Sequence, residues 1–112
     1  MERRNIFLDD VRPGPEDHIV VKTAEECMLL LRDGEPVSHL SLDHDLGSKK
    51  TNGFDVVLYL LEHNLYPDHI TIHSANAAAG KKMYQHLLEG KKSGSVPECV
   101  KVTHRPLPLT FS

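Results

Sequence analysis

Residues 41–47 read SLDHDLG, and they decide the fold because they place charged side chains directly after an apolar run. Residues 38–42 lead into this stretch and are predicted to form a strand. Successive side chains of a strand point to opposite faces, so Asp43 and Asp45 are expected on one side and His44 on the other, unless the backbone has already bent there. Two carboxylates at close range repel each other unless a cation lies between them. The stretch therefore indicates a site for a hard cation with oxygen ligands, the alternative being a solvated turn that caps the next helix.

Length and composition describe a single, compactly folded unit. The chain has 112 residues, of which 26% are charged, and its formal net charge of −3 argues against bulk binding of nucleic acid. Cys27 and Cys99 lack the spacing of metal ligands, and no apolar run is long enough to span a membrane. We expect no signal peptide, because residues 1–4 lead straight into the first predicted strand without an apolar region. We expect one domain over residues 1–112, located in the cytoplasm, with reduced thiols and no membrane contact.

Apolar periodicity and turn residues predict five strands that alternate with three helices. The first strand reads as buried on both faces, because it is mostly apolar and its acidic residues follow at its end. A polar loop is predicted at 48–53, and a segment at 105–108 closes the core before a frayed tail. The predicted strands are residues 5–8, 18–22, 38–42, 69–73 and 100–104, and the predicted helices are residues 24–33, 54–61 and 77–89.

This alternation indicates an α/β fold with a single open, mostly parallel five-stranded sheet flanked by helices. Only residues 11–17 separate the first two strands, which is too few for a crossover helix. Two arrangements stay open for the second strand, antiparallel to the first or parallel after a stretched loop. We favour the antiparallel arrangement, which makes the sheet mixed.

Ionisable side chains follow four of the predicted strands. In open parallel sheets, ligands bind outside the carboxyl ends of the strands, so these side chains are expected at one edge. Their coincidence favours a functional site over four unrelated caps and turns. The group comprises Asp9, Asp10, Arg12, Asp43, His44, Asp45, His73, Ser74, Asn76, His104 and Arg105. The remaining histidines fall at strand starts or on helices and are interpreted as exposed or satisfied within the core, namely His18, His39, His63, His69 and His86.

The predicted site has acidic and imidazole groups that a phosphodiester centre needs. An unperturbed imidazole ionises near neutrality, so of His44 and His73 one is expected to remove a proton from water while the other protonates the leaving oxygen. Each such role is worth about 10²- to 10⁴-fold in rate. Mg²⁺ and Mn²⁺ prefer oxygen ligands such as carboxylates, and the predicted ligands are Asp9, Asp10, Asp43 and Asp45.

Phosphate contacts are predicted from Arg12 and Arg105, which can bind bidentately, and from the hydroxyl of Ser74. Asn76 is most simply the cap of the following helix, with a ligand contact as the second interpretation. Two chemical routes stay open: water attacks phosphorus directly, or Asp43 attacks first and forms an acyl phosphate.

The order of these motifs is similar to that of response-regulator receiver domains. The resemblance matches the acidic pair 9–10 to that family's Mg²⁺ ligands and Asp43 to its phosphorylated aspartate. Ser74 matches its hydroxyl residue, and Arg105 stands where the family has a lysine followed by proline. The resemblance implies a receiver-like or flavodoxin-like fold in which the first crossover helix is missing or reduced.

Three segments resemble more closely the cyclic-phosphate processing receiver domains: FLDDVRP at 7–13, SLDHDLG at 41–47 and IHSAN at 72–76. This resemblance implies a metal-dependent hydrolase acting on cyclic phosphates, either of nucleotides or of RNA ends with a 2′,3′-cyclic phosphate. The implied partner is a small phosphate ester, a nucleotide or an RNA end. Two alternatives stay open, a non-enzymatic signalling receiver phosphorylated on Asp43 and a module that only binds a nucleotide or metal.

Overall fold

The computed structural model describes residues 3–47 and 50–106. Residues 48 and 49 of the predicted polar loop lie outside the described residues. The same holds for residues 107–112, which include part of the predicted closing segment and the predicted frayed tail.

The described residues form five strands and three helices, as predicted, and strands and helices alternate after the second strand. None of the helices in those residues is both long and apolar enough to cross a membrane. The elements are β1 (Arg4–Leu8), β2 (Ile19–Val21), α1 (Ala24–Arg32), β3 (Val37–Leu42), α2 (Gly53–His63), β4 (His69–Ser74), α3 (Ala77–Ser93) and β5 (Lys101–Pro106).

The five strands form one sheet in the order β2-β1-β3-β4-β5, and every neighbouring pair is parallel. The expectation of a mixed sheet is therefore wrong. Residues 9–18 join β1 to β2 without a helix, as predicted. An extended chain covers about 3.3 Å per residue, so this connection is long enough to return beside a short strand and start β2 in the same direction as β1.

The apolar core lies on one face of the sheet, under all three helices. The connections that carry α1, α2 and α3 all step across the sheet in the same direction, and right-handed crossovers then place their helices on the same face. Helix α2 contacts both α1 and α3. Six even-numbered residues of the three central strands β1, β3 and β4 are fully buried on this face: Ile6, Leu8, Leu40, Leu42, Ile70 and Ile72.

The opposite face of the sheet carries polar and aromatic side chains. The one connection that steps the other way, from β1 to β2, has no helix to place there, and no helix of the described residues covers this face. Phe7 is accordingly only half-buried, so the prediction that β1 is buried on both faces is wrong. We call this surface the open face, and its strand residues are Phe7, His39, Ser41, His69, Thr71, His73, Thr103 and Arg105.

Helix ends follow local sequence signals with one difference. Thr23 accepts a hydrogen bond from the backbone of Glu26 and caps α1 as predicted. Helix α3 runs to Ser93, beyond the predicted end at residue 89. Gly90 lies inside this helix and lets Val96 pack against bare backbone, since a Cβ there would lie 2.7 Å from Cγ2 of Val96.

We predict that Gly53→Ala destabilises the protein, although alanine is normally the better helix residue. A Cβ at Gly53 would overlap the carbonyl oxygen of Asp43 and lie 2.8 Å from its carbonyl carbon. Because the obstacle is backbone, we expect the free energy of unfolding to fall by about 1–3 kcal/mol in urea denaturation. Ala78→Gly, an exposed change in α3, is the control and should cost about 1 kcal/mol or less. A Gly53→Ala protein as stable as the wild type would contradict this close approach.

Candidate active site

Three carboxylates converge where β1 and β3 end side by side. Asp9 and Asp10 follow β1, and Asp43 follows β3, whose last residue Leu42 pairs with Leu8. The backbone N–H of Asp43 donates to the carbonyl of Leu8 at 3.0 Å. One oxygen from each of the three carboxylates lies within 4.8 Å of the other two. The fold thus brings three oxygen donors to one point, as the rule about strand ends predicts.

Asp9 is fully buried and accepts four hydrogen bonds. Its Oδ1 accepts from the backbone N–H groups of Val11 and Arg12, each at 2.9 Å. Its Oδ2 accepts from Nη1 of Arg12 at 3.0 Å and from Nε2 of His73 at 3.1 Å. Burial alone would raise the pKa of Asp9, but these hydrogen bonds outweigh it and lower the pKa. Asp9 is therefore a buried, ionised carboxylate that orients both Arg12 and His73.

Asp43 has the opposite shift. Burial, and then the charge of Asp9, raise its pKa to about 6, against the opposing effects of the His44 backbone, Arg12 and Ser74. The Arg12 guanidinium lies 3.7 Å from Oδ2 of Asp43, further than it lies from Asp9. Repulsion between two buried carboxylates is what a bound cation relieves, so the donors present fit Mg²⁺ or Mn²⁺.

Asp45 is not part of this cluster. Its carboxylate accepts from Nδ2 of Asn76 at 3.3 Å and contacts Nδ1 of His44 at 2.6 Å. It is exposed and lines a cavity of about 210 Å³ together with Asp10, Asp43 and Arg12. Of the four predicted metal ligands, the structure thus groups three and leaves Asp45 at the rim. Asp45 follows the end of β3, so the alternation of a strand no longer governs its direction.

His73 lies on the open face with both ring nitrogens engaged. Its ring stacks on Phe7, with centroids 4.4 Å apart and planes 6° from parallel. Since the Asp9 carboxylate can only accept, Nε2 of His73 carries the proton, and Nδ1 accepts from the hydroxyl of Ser41 at 2.6 Å. Burial lowers the pKa of His73, opposed by Asp9. The residue is held as a neutral imidazole in one orientation.

His44 occupies a different environment from His73. It is partly exposed and pairs with Asp45, and it lines neither the 210 Å³ cavity nor the larger cavity on the open face. The structure therefore brings His73, and not His44, to a cavity. Its predicted role as an acid or base stays a prediction.

Ser74, the last residue of β4, and Asn76, the N-cap of α3, lie next to the carboxylates. Ser74 is buried, its hydroxyl accepts from the backbone N–H of Asn76 at 3.1 Å, and its side chain hydrogen-bonds to Asp43. Asn76 caps α3 by accepting from the backbone N–H of Ala79 at 3.1 Å. Of its two interpretations, the cap is confirmed.

Arg105 and His104 lie on opposite faces of the sheet. Arg105 pairs with His73 in the register of β4 and β5 and lies on the open face. His104 lies on the helix-covered face, where Nε2 of its ring would be 3.3 Å from a Cβ on Gly80. The expectation that His104 joins the site is wrong, because neighbouring strand residues point in opposite directions.

A cavity of about 560 Å³ covers the open face, and three of the histidines that the sequence analysis set aside line it. Nε2 of His18 and Nδ1 of His39 are 2.8 Å apart, and Nε2 of His39 lies 2.7 Å from the hydroxyl of Thr71. His69 Nε2 lies 2.8 Å from the hydroxyl of Thr103. The missed signal was alternation, since polar residues occupy every second position of β4 and β5 while their neighbours are mostly apolar.

The loop between β1 and β2 forms one wall of this cavity through Pro13, Gly14 and Pro15. Gly14 packs closely, since a Cβ there would lie 2.6 Å from Cγ2 of Val20 and 3.0 Å from Cδ2 of Phe7. Arg12, in the same loop, lines both this cavity and the 210 Å³ cavity. The two cavities therefore meet at the cation that contacts the carboxylates.

Comparison with known proteins gives one result. A family model described as the cyclic-phosphate processing receiver domain matches residues 4–89. No curated protein and no solved structure matches significantly.

We predict that His39 makes stability depend on pH. Burial first, and then the charges of His69 and His18, lower its pKa from 6.5 to about 4. Between these values the unfolded chain binds a proton that the folded protein does not. The contribution of neutral His39 to the free energy of unfolding should therefore be fully present above pH 6.5 and be lost as the pH falls towards 4. This loss is at most about 1.4 kcal/mol per pH unit.

The measurement is urea denaturation at several pH values for wild type, His39→Gln and the control His63→Gln, which changes an exposed residue of α2. His39→Gln should lose less stability on acidification than wild type, because it has no proton to take up in the unfolded state. Equal pH slopes for these two proteins would contradict a buried, neutral His39.

Proposed function

The chain belongs to the family of cyclic-phosphate processing receiver domains, and we propose that it is a metal-dependent phosphodiesterase that opens the cyclic phosphates of nucleotides or RNA ends. The observation that carries the proposal is the meeting of Asp9, Asp10 and Asp43 beside Arg12, next to a cavity on the open face. Among the described residues, no carboxylate lines that larger cavity. An anionic substrate in this cavity would thus contact the guanidinium groups of Arg12 and Arg105 and no carboxylate of the described residues.

The three carboxylates would hold the cation, with Asp10, which is only half-buried, nearest to solvent. When bound, a divalent cation neutralises charge on phosphate oxygens and makes water easier to deprotonate. Arg12 is held by Asp9 and reaches into both cavities, and Arg105 lies beside His73. In the proposal these two guanidinium groups bind the non-bridging phosphate oxygens and stabilise the charge that grows in the transition state.

Opening a 2′,3′-cyclic phosphate needs one attack and two proton transfers. Water attacks phosphorus, the bond from phosphorus to one ribose oxygen breaks, and that oxygen leaves with a proton while the attacking water loses one. Of the imidazoles that line the cavity, His73 is the one that contacts the carboxylate cluster, and Asp9 on its Nε2 stabilises the ring when Nδ1 takes up a proton. Nδ1 now contacts Ser41, which would move aside or pass the proton on.

We predict that Asp43→Asn lowers kcat/KM for a nucleoside 2′,3′-cyclic phosphate by about 100-fold or more, because it removes one charged ligand from the site. Turnover is followed with Mg²⁺ or Mn²⁺ by ³¹P NMR, and Mn²⁺ binding by calorimetry should weaken in parallel. Asp68→Asn is the matched control, since this aspartate is exposed and pairs only with Arg3 among the described ion pairs.

Acetyl phosphate separates this proposal from the signalling alternative. A wild-type protein that opens no cyclic phosphate with either metal, yet gains the mass of one phosphate that Asp43→Asn does not gain, would overturn the enzyme proposal. It would favour a receiver phosphorylated on Asp43.

We predict that substitutions of His73 and His44, the two histidines that the sequence predicts as acid and base, lower kcat to different extents. His73→Gln should lower kcat by about 10²- to 10⁴-fold, as expected for loss of a proton-transfer group. His44→Gln should have a much smaller effect, because His44 lines neither cavity. Circular dichroism and urea denaturation would verify that both variants are folded. An equal loss of kcat in both would show that His44 also reaches the substrate.

A further inference from the structure

The open-face cavity is longer than a phosphate group requires. His73 and His69 both line it, and they lie four residues apart on β4. At about 3.3 Å per residue, this separation is about 13 Å along the strand. Arg12, Arg105 and His73 mark one end, beside the carboxylates, and His39 and His69 mark the other. The second end, which we call the imidazole end, lies beyond the reach of a phosphate held at the first.

The imidazole end offers flat rings, and burial lowers the pKa of both His39 and His69. The ring centroids of His39 and His69 are 4.7 Å apart, and those of His18 and His39 are 5.0 Å apart. Burial and neighbouring histidines hold His39 neutral at pH 7. Thr71 and Thr103 add hydroxyl groups that are already bonded to these rings. Such a surface suits a planar, uncharged heterocycle that stacks and makes a few hydrogen bonds.

The wall opposite β4 and β5 is closely packed before any ligand enters. Pro13 and Pro15 have restricted backbone φ angles, and Gly14 between them lies against Phe7 and Val20. A cavity of about 560 Å³ with a preformed wall is within the range of small-molecule sites. The cavity therefore exists before a ligand binds. One end has guanidinium groups that suit a phosphate, and the other has rings that suit a base.

We propose that the imidazole end binds the nucleobase of the substrate while the phosphate lies at Arg12 and Arg105. The site then selects a nucleoside with a 2′,3′-cyclic phosphate over cyclic phosphates that carry no base. This inference deepens the proposed function and rests on it for the position of the phosphate. Stacking on aromatic residues predicts a preference of about 5- to 150-fold.

The test compares kcat/KM for adenosine and cytidine 2′,3′-cyclic phosphates with kcat/KM for glycerol 1,2-cyclic phosphate, which has no base. His69→Ala should reduce the ratio of nucleotide to glycerol substrate by about 5- to 150-fold, and His69→Gln, which keeps a hydrogen-bonding group without the ring, should do the same. The matched control is His86→Ala, since His86 packs on Phe54 among the helices. An oligoribonucleotide that ends in a 2′,3′-cyclic phosphate distinguishes free nucleotides from RNA ends.

Binding of cytidine 3′-monophosphate, measured by calorimetry against inorganic phosphate, separates the two proposals. Turnover of glycerol and nucleotide substrates with equal kcat/KM would overturn the base site and leave the phosphodiesterase proposal standing. If no substrate is turned over but the nucleotide binds and His69→Ala weakens this binding, the phosphodiesterase proposal is overturned and the base site stands. Absence of both turnover and nucleotide binding would overturn both proposals.

Discussion

The rest of the structure depends on the ten residues that join β1 to β2. These strands are parallel neighbours, yet the connection is too short to lay a helix on the sheet. The other three connections step in the opposite direction and place their helices on one face. One face therefore holds the apolar core, and the other is available to polar side chains. The same short connection begins with Asp9 and Asp10, continues with Arg12 and ends as a wall of the cavity.

A single buried carboxylate organises the chemistry at this edge. An ionised group can stay buried only when hydrogen bonds replace its water, and Asp9 receives them from its own loop and from His73 on β4. In return it orients the Arg12 guanidinium and fixes the tautomer of His73. Its charge also contributes to the raised pKa of Asp43. The proposed cation site, the Arg12 guanidinium and the His73 imidazole are thus coupled through one side chain.

Local patterns predicted much of this arrangement and failed where direction depended on distant residues. Apolar runs located all strands and helices, and the rule about strand ends grouped Asp9, Asp10 and Asp43. The alternation argument did not extend to Asp45, because β3 ends at Leu42 and the backbone turns. His39 and His69 each alternate with apolar residues along their strands, and the register of β3 with β4 joins the two patterns into one polar face.

By itself, the sequence determined which segments are strands and helices, and which polar residues follow the strands, because these features depend on neighbours along the chain. Tertiary structure alone decided the direction of β2, which face is left uncovered by the helices of the described residues, and which imidazoles meet there. The contacts of His73 show the physical reason: it bonds Ser41 across 32 residues and Asp9 across 64. Only the order and register of the strands bring such distant groups within hydrogen-bonding distance.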